Sequence, residues 1–305
     1  MIVTTQPLDF LLATFGERLH RNAVLAPYTS ARIGGPADYL IDARSAKELA
    51  DIVAGLWEAK LDFVTLGGGS NVLISDKGIR GIVVLNRAKE IRFNLGEQPT
   101  VWCESGAVFS SVAHRVAAFG LGGLEWAANV PGTIGGAVYG NAGAFGSNVA
   151  HDLIRADILE ESGRSWWPVE KFEYGYRSSV LKEENRKAVI LAAEFRLFNS
   201  TKEEVQARIE EFSAKRKATQ PPGASMGSMF KNPEGDYAGR LIEAAGLKGK
   251  RIGNAEISTV HGNFFINKGN TRAADVKALI ELVQKTVKEQ SGKDLELEIE
   301  LMGEW

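Results

Sequence analysis

The most glycine-dense part of the chain reads Asn129-Val-Pro-Gly-Thr-Ile-Gly-Gly-Ala-Val-Tyr-Gly-Asn-Ala-Gly-Ala-Phe-Gly146. Six glycines and few charges lie between Pro131 and Gly146. A loop of small residues can lie flat against a ligand and offer successive backbone N–H groups to an anion. A close-packed crossing of two backbones also requires small residues, so that alternative stays open. The length and glycine density of the stretch favour ligand binding.

A second glycine-rich segment, Leu66-Gly-Gly-Gly-Ser-Asn71, follows the apolar strand predicted at Phe63–Leu66. It is not a Walker A loop, because no Gly-Lys-Ser/Thr follows, and Val72 stands where the dinucleotide fingerprint needs its third glycine. The segment is either a tight turn or an anion-binding loop. Together, the two glycine-rich segments could neutralise a diphosphate without a lysine.

Three further segments carry polar side chains that are candidates for substrate binding or catalysis. Arg177 lies in Tyr174-Gly-Tyr-Arg-Ser-Ser179, and its planar fork suits a carboxylate, although a loop arginine is more often solvated. Ser228 lies in Met226-Gly-Ser-Met-Phe-Lys-Asn-Pro233, where the Gly-x-Ser-x-Gly elbow of serine hydrolases is missing and a strand with a turn is the simple alternative. Leu295–Leu301 alternates strictly, which predicts a strand with Glu296, Glu298 and Glu300 on one usually solvated face.

The bulk properties limit the class of protein. The 305 residues are 44% hydrophobic and 24% charged, which is typical of a folded protein with two or three domains. A net charge of −2 argues against broad nucleic-acid binding. The single cysteine, Cys103, excludes an internal disulfide and favours a reducing, cytoplasmic location. We expect no signal peptide, no membrane span and no metal site, and an amphipathic helix through Leu8, Leu11, Leu12, Phe15 and Leu19.

Hydrophobic periodicity, helix caps and helix-breaking residues predict the remaining helices and strands. Ser45 with Glu48 predicts a capping box, and the prolines after Gln220 end a charged helix near a domain boundary in the region 199–224. The predicted helices are Val108–Phe119, Thr201–Lys217, Asp236–Ala245 with Gly246 as its C-cap, and Thr271–Gln290; the further strands are Asp38–Asp42, Ile79–Leu85, Ile154–Glu160 and Val189–Leu197.

These segments occur together in the order of a known family, and the chain resembles UDP-N-acetylenolpyruvoylglucosamine reductase, in its shorter form. The matching motifs cover nearly the whole chain. They are Tyr28–Pro36, Gly67–Asn71, Gly123–Ala127, Pro131–Gly146, Tyr176–Ser178, Gly227–Pro233, His261–Phe264 and Glu298–Gly303.

The resemblance implies an α+β protein with the FAD-binding fold of the vanillyl-alcohol oxidase (PCMH) type in two subdomains and a C-terminal α+β substrate-binding domain. We set their bounds at 1–84, 85–199 and 200–305. The resemblance also implies a monomer that uses non-covalent FAD and NADPH to reduce UDP-N-acetylglucosamine enolpyruvate, a UDP-sugar, to UDP-N-acetylmuramate. That reaction serves peptidoglycan precursor synthesis, and through it cell shape and division.

Site residues carry over by position. The implied catalytic residues are Arg177 for the substrate carboxylate, Ser228 as proton donor and Glu298, which we expect to work protonated with a raised pKa. Lys231 and Asn232 are expected to touch the diphosphate or uridine. The implied FAD contacts are Gly67, Gly68, Gly69, Ser70, Asn71, Pro131, Gly132, Gly136 and Asn141.

The chain departs from the family pattern at Trp126, Asn129 and Glu300, which stand where Phe, Gly and Arg are common. Two alternatives remain. One is a sugar or lactone oxidase of the same fold, although neither glycine-rich segment holds a histidine or cysteine for a covalent flavin link. The other is a non-catalytic nucleotide-binding homologue, which should have lost Arg177, Ser228 or Glu298.

Overall fold

The computed structural model describes residues 13–305. Most of the amphipathic helix predicted through Leu8 and Leu19 therefore lies outside the described residues. Within them, Phe15 and Leu19 are buried, and a short 3-10 helix covers Gly16–Arg18.

Helices and strands are mixed along the described part of the chain. The α-helices are α1 Ala46–Glu58, α2 Phe109–Ala118, α3 Ile134–Tyr139, α4 Val149–Asp152, α5 Val180–Glu183, α6 Lys202–Thr219, α7 Ala238–Ala244 and α8 Ala273–Ser291. The strands are β1 His20–Val24, β2 Pro36–Ala43, β3 Phe63–Leu66, β4 Val72–Ile74, β5 Ile79–Asn86, β6 Ile91–Asn94, β7 Thr100–Glu104, β8 Leu121–Gly122, β9 Gly143–Ala144, β10 Ser147–Asn148, β11 Leu153–Glu160, β12 Gly163–Pro168, β13 Ala188–Arg196, β14 Phe198–Asn199, β15 Arg251–Ile252, β16 Ala255–Ile257, β17 Phe265–Asn267 and β18 Glu300–Met302.

The chain divides into two compact units. Among the described residues, the first comprises 13–21, 39–68 and 81–214, and the second comprises 22–38, 69–80 and 215–305. Strands β2 and β5 belong to the four-stranded sheet β1-β2-β5-β3, in which β3 and β5 run parallel. The segment after β3 therefore begins in the first unit and ends in the second.

The first unit is built on a five-stranded sheet in the order β12-β11-β13-β7-β6, with every neighbouring pair antiparallel. Phe109 packs against both Trp126 and Phe195 in its main core. Helix α1 buries one apolar stripe, Leu49, Ile52, Val53 and Leu56, in a second core. That stripe follows the helical period, which is why the sequence predicts it.

The second unit is smaller and mixed. Helices α7 and α8 contribute to one core with strand residues such as Phe265, and the sheet β15-β16-β17 is antiparallel. Strand β18 pairs in parallel with β4, Glu300 opposite Val72. This pairing links the C-terminal segment to the residues that follow the first glycine-rich loop.

The observed bounds of most predicted helices and strands lie within two residues of the expected ones, and Gly246 follows α7 with a left-handed φ of 71°. The capping box is half formed: Ser45 Oγ accepts from the Glu48 N–H at 3.1 Å, but Glu48 itself accepts from the Arg44 N–H. Glu48 thus holds the residue before the cap rather than the cap.

The predicted strand Leu295–Leu301 is wrong in its length. Only Glu300–Met302 forms a strand, and the chain bends at Glu298 and Ile299. The first part of the segment pairs instead with residues 229–231: the Lys231 N–H donates to the Glu296 carbonyl, and the Glu298 N–H donates to the Met229 carbonyl. Because the chain changes partners at this bend, the period of two is interrupted and the three glutamates do not share one extended face.

Candidate active site

The two glycine-rich segments meet in the first unit. A Cβ built on Gly67 would overlap Thr133 Oγ1, and one built on Gly68 would lie 3.1 Å from the Gly132 Cα. Gly132 itself has a φ of 101°, a conformation that disfavours other residues. The glycines therefore allow two backbones to approach each other, with Gly68 and Pro131 exposed beside them.

The Pro131–Gly146 segment is not the continuous loop that its composition predicts. Its centre is helix α3, and the N–H groups of Ile134 and Gly135 donate to the carbonyls of Ala107 and Ser105 at 2.9 and 2.7 Å. A Cβ on Gly135 would lie 3.1 Å from Ser105 Cβ. The close-packed crossing thus accounts for Gly135, whereas Gly136 is exposed on the helix surface.

Arg177 is held against the end of the same segment. Its φ is 57°, and its Nη2 donates to the Gly143 carbonyl at 2.7 Å. The neighbouring Tyr174 hydroxyl donates to the Val138 carbonyl at 2.8 Å, and Ser179 Oγ donates to the Tyr139 carbonyl at 2.6 Å. The loop that carries Arg177 is therefore fastened to helix α3 and to the residues after it.

Asn141 completes this fastening. Its side chain is buried, its Nδ2 donates to the Gly175 carbonyl at 2.9 Å, and its Oδ1 accepts from the Ala150 N–H at 3.0 Å. Its φ of 47° is one that asparagine tolerates better than most residues. The carboxamide predicted to contact FAD thus joins three segments of the chain.

A cavity of about 360 Å³ lies at this junction. It is lined by Asn141, Asn148, Ala150, Tyr174, Gly175, Tyr176 and Arg177. Burial raises the pKa of the Tyr174 hydroxyl, so that group stays protonated at neutral pH. The lining therefore combines a cation, carboxamides and aromatic rings.

The other half of the first glycine-rich segment lies in the second unit. The Gly69 carbonyl accepts from the Ser30 N–H at 3.0 Å, and a Cβ on Gly69 would overlap the Tyr28 carbonyl. Asn71 Nδ2 donates to the Glu298 carbonyl at 3.0 Å, and the Glu300 N–H donates to the Asn71 carbonyl at 2.9 Å. Gly69, Ser70 and Asn71 thus form a turn whose end is bonded to the segment that carries Glu298.

Ser228 and Glu298 lie on adjoining segments of the second unit. Asn263 holds the serine segment: its Oδ1 accepts from the Phe230 N–H at 2.9 Å, its Nδ2 donates to the Phe230 carbonyl at 2.8 Å, and its carbonyl accepts from the Met229 N–H. The Glu298 N–H donates to the Met229 carbonyl at 3.0 Å. The backbone directly after Ser228 and the backbone N–H of Glu298 are therefore fixed.

Lys231 and Asn232 extend this segment. Lys231 Nζ lies 2.7 Å from Glu296 Oε1, and the lysine side chain is 17% exposed whereas the glutamate is 75% exposed. Asn232 Oδ1 accepts from the Ala238 N–H at 3.1 Å, which satisfies a donor at the start of helix α7. Asn232 therefore has a structural contact at the start of helix α7, and its contact with the substrate stays a prediction.

Comparison with known proteins identifies the family. Residues 218–302 match the model described as UDP-N-acetylenolpyruvoylglucosamine reductase, C-terminal domain, and residues 37–167 match an FAD binding domain. A protein named UDP-N-acetylenolpyruvoylglucosamine reductase from Chloroflexus aggregans is 43% identical over 93% of this chain and 97% of its own length. The protein of that name from Bacillus subtilis is 42% identical over 92% of this chain and 93% of its own.

The chain belongs to the UDP-N-acetylenolpyruvoylglucosamine reductase family. A crystal structure of the reductase from Thermus caldophilus matches with a TM-score of 0.80 and 34% identity over 93% of this chain and 99% of that one. The chain is thus an FAD-dependent oxidoreductase of mixed α+β structure that contains an FAD-binding domain. The predicted family, the α+β class with an FAD-binding domain and the enzyme class are confirmed.

The predicted site residues group by unit. Gly67, Gly68, Pro131, Gly132, Gly136, Asn141 and Arg177 lie in the first, and Gly69, Ser70, Asn71, Ser228, Lys231, Asn232 and Glu298 lie in the second. Sequence reasoning did not single out Thr133, Asn148 or Asn263. Asn263 belongs to the quoted motif His261–Phe264, which was the signal available for it.

Two departures from the family pattern have structural partners. Trp126 is buried, and its Nε1 donates to Asp152 Oδ2 at 2.7 Å. Asn129 Nδ2 donates to Ser213 Oγ at 2.7 Å, which ties the start of the glycine-rich segment to helix α6. These two hydrogen bonds therefore tie the residues before the glycine-rich segment to helix α6 and to Asp152.

Residues 13–305 hold no group of three or more His, Cys, Asp or Glu side chains that could bind a metal ion. Among the same residues, no helix combines the length and apolar character that crossing a membrane requires.

Proposed function

We propose that the chain reduces UDP-N-acetylglucosamine enolpyruvate to UDP-N-acetylmuramate, with NADPH as the hydride donor and FAD bound along Gly67–Asn71 and Pro131–Gly146. The observation that carries the proposal is the attachment of Arg177 to Gly143. A carboxylate-binding cation is thereby fixed on the segment that the family resemblance assigns to the cofactor.

The glycine-rich segments suit a bound dinucleotide. Gly67 and Gly68 pack directly against Thr133 and Gly132, which brings the two backbones close enough together for one ligand to contact both. Gly136 presents a bare, exposed helix surface next to them. FAD, when bound, supplies hydride transfer, and the protein supplies its position and surroundings.

Arg177 binds the substrate carboxylate in this proposal. Hydride addition to the β carbon of an enolpyruvyl group leaves negative charge on the α carbon and its carboxylate. A guanidinium held by the Gly143 carbonyl is already oriented when that charge develops, so the cost of arranging it is paid in folding.

Ser228 gives the proton to the α carbon. A serine hydroxyl is a weak acid, so it must be held at a defined position relative to its acceptor. The Asn263 clamp on Met229 and Phe230 provides that position for the backbone directly after Ser228. General acid catalysis of this kind contributes roughly 10²–10⁴-fold in rate.

Glu298 stabilises the substrate carboxyl while it carries or shares a proton, because an ionised glutamate would repel a carboxylate. Its backbone N–H and carbonyl are both engaged, by Met229 and Asn71. The bend at this residue separates its direction from that of Glu296, which pairs with Lys231. We assign Lys231 and Asn232 to the diphosphate and uridine of the substrate.

We also propose a monomer in the cytoplasm that acts in peptidoglycan precursor synthesis. The buried, single Cys103 fits a reducing compartment. Light scattering of the purified protein tests the oligomeric state.

The sugar or lactone oxidase alternative is not favoured, because the relatives carry the reductase name over more than nine tenths of the chain. A non-catalytic homologue is disfavoured by the presence of Arg177, Ser228 and Glu298 together.

The test separates the two half-reactions. The purified protein should be yellow or should take up FAD, and it should oxidise NADPH at a rate that depends on the enolpyruvyl sugar nucleotide. In Ser228→Ala, flavin reduction by NADPH should persist while substrate reduction falls by about 10²–10⁴-fold. Ser225→Ala on the same segment is the matched control, since the Ser225 carbonyl that accepts from Ser30 remains. Equal loss of both half-reactions in Ser228→Ala would mean that the serine is structural, and turnover independent of the sugar nucleotide would refute the substrate assignment.

A further inference from the structure

Asn148 carries a buried acceptor without a protein partner. Its Oδ1 is enclosed, and it is the buried side-chain oxygen for which residues 13–305 provide no hydrogen bond. Burying such a group unpaired is costly, so an orphaned acceptor in a folded protein calls for a partner from outside the chain.

The position of Asn148 is closely tied to that of Arg177. Asn148 pairs with Gly143 across β9 and β10, and the Gly143 carbonyl accepts from Arg177. A Cβ built on Gly143 would lie 2.8 Å from Asn148 Cβ and 3.1 Å from Arg177 Nη1. Both side chains therefore adjoin the same bare glycine, and both line the same cavity.

The two carboxamides of this cavity differ in their partners. Asn141 uses its Nδ2 and its Oδ1 to join the segments around Gly175 and Ala150. Asn148 Oδ1 makes no such bond. The Asn141 carboxamide therefore holds the cavity wall together, whereas Asn148 Oδ1 is an acceptor that no group of the wall satisfies.

We propose that Asn148 Oδ1 accepts a hydrogen bond from an N–H or O–H group of the ligand held in the Arg177 cavity. The inference rests on the proposed function, which supplies two sources of such a donor: the hydroxyl and amide groups of the sugar nucleotide, and the ring N–H of the flavin. Arg177 selects an anionic group, whereas a carboxamide oxygen selects a donor beside it. A cation that binds an anionic group and an oxygen that accepts a hydrogen bond together fix the orientation of the bound ligand.

The test uses two variants of similar shape. Asn148→Leu keeps the volume and removes the acceptor, and Asn148→Asp keeps an acceptor. For each, the dissociation constant of FAD is measured on the apoprotein by flavin fluorescence, and that of the enolpyruvyl sugar nucleotide on the oxidised holoenzyme by flavin absorbance. Asn148→Leu should weaken one of the two by about three- to tenfold, which identifies the source of the donor, and Asn148→Asp should retain more of that affinity.

Urea unfolding of the apoprotein distinguishes a role of Asn148 in ligand binding from a role in stabilising the fold. Because the acceptor has no protein partner, apo Asn148→Leu should unfold at the same urea concentration as the wild type, or at a higher one. Unchanged affinities for both ligands would overturn the proposal. So would a parallel loss of apo stability and affinity, which marks a structural amide, or a greater loss in Asn148→Asp than in Asn148→Leu. If the wild-type protein fails to bind the sugar nucleotide, the proposed function fails, while the FAD measurement still decides the role of Asn148.

Discussion

Gly67→Ala tests whether the two glycine-rich segments are held together as closely as the structure shows. The added Cβ would overlap Thr133 Oγ1, a side chain that is itself buried. Forcing an extra carbon into a packed site costs about 1–3 kcal/mol. The loss of unfolded-state freedom on replacing glycine returns about 0.4–1 kcal/mol. We therefore expect the apoprotein to lose about 1–2 kcal/mol of unfolding free energy.

The cause of the loss can be isolated in a double-mutant cycle. Thr133→Ala removes Oγ1 and Cγ2 and leaves Cβ 3.5 Å from the added carbon, an ordinary van der Waals separation. Gly67→Ala in that background should be neutral or stabilising, which gives a coupling energy of about 1–3 kcal/mol. Gly136→Ala is the matched control. Its Cβ would lie 4.0 Å from the same Oγ1 on an exposed helix surface, so it should raise stability by about 0.5–1 kcal/mol.

Urea unfolding is measured on the flavin-free forms of the two glycine variants, of Thr133→Ala and of the double variant. Without flavin, ligand binding does not contribute to the differences in stability. If Gly67→Ala is as stable as Gly136→Ala, or if its cost persists with Thr133→Ala, the segments do not meet at these atoms. The proposal that these two segments form the FAD site would then lose its structural basis.

Three further predictions concern other parts of the chain. Asn263→Ala leaves the Phe230 N–H and carbonyl without their partner and should cost about 2–4 kcal/mol in urea unfolding; a change below about 0.5 kcal/mol would contradict the clamp. Arg272 holds the pKa of Asp275 below its usual value. The ionised Asp275 carboxylate therefore stabilises the fold at pH values above its pKa in the unfolded chain, and this stabilisation is lost as the pH falls through its pKa in the folded protein. Asp275→Asn should accordingly lower the urea midpoint at neutral pH and match the wild type at the acid end of the range; an equal deficit at all pH values would refute this origin. Burial raises the pKa of the Cys103 thiol. The thiol should therefore resist a thiol reagent in the native protein and react with it when the protein is unfolded in urea.

Regular elements were predictable because their signals are local. The apolar stripe of α1 follows the helical period, and Ser45 marks its start with a side-chain bond. The alternation of Leu295–Leu301 misled because each half of the segment pairs with a different neighbour, Phe230 opposite Leu297 and Val72 opposite Glu300. A period of two records which side chains are apolar, and it does not record where a strand changes partners.

The candidate site was predictable as a set of positions and not as an arrangement. Glycine density indicated that backbones or ligands approach closely, but it could not show that Gly135 serves a crossing while Gly136 remains exposed. The bracing roles of Asn141 and Asn263 depend on partners at least nine positions away in the chain. Such contacts arise from the tertiary fold, so spacing alone does not reveal them.

The reduced protein's reaction with the enolpyruvyl sugar nucleotide tests the central claim most directly. The FAD-loaded protein is reduced anaerobically with NADPH, excess nucleotide is removed, and the flavin absorbance is followed after mixing with the sugar nucleotide. We expect rapid return of the oxidised flavin spectrum together with one equivalent of UDP-N-acetylmuramate, and a slow return in Ser228→Ala. A reduced flavin that persists in the presence of the sugar nucleotide, yet is reoxidised by oxygen, would contradict it.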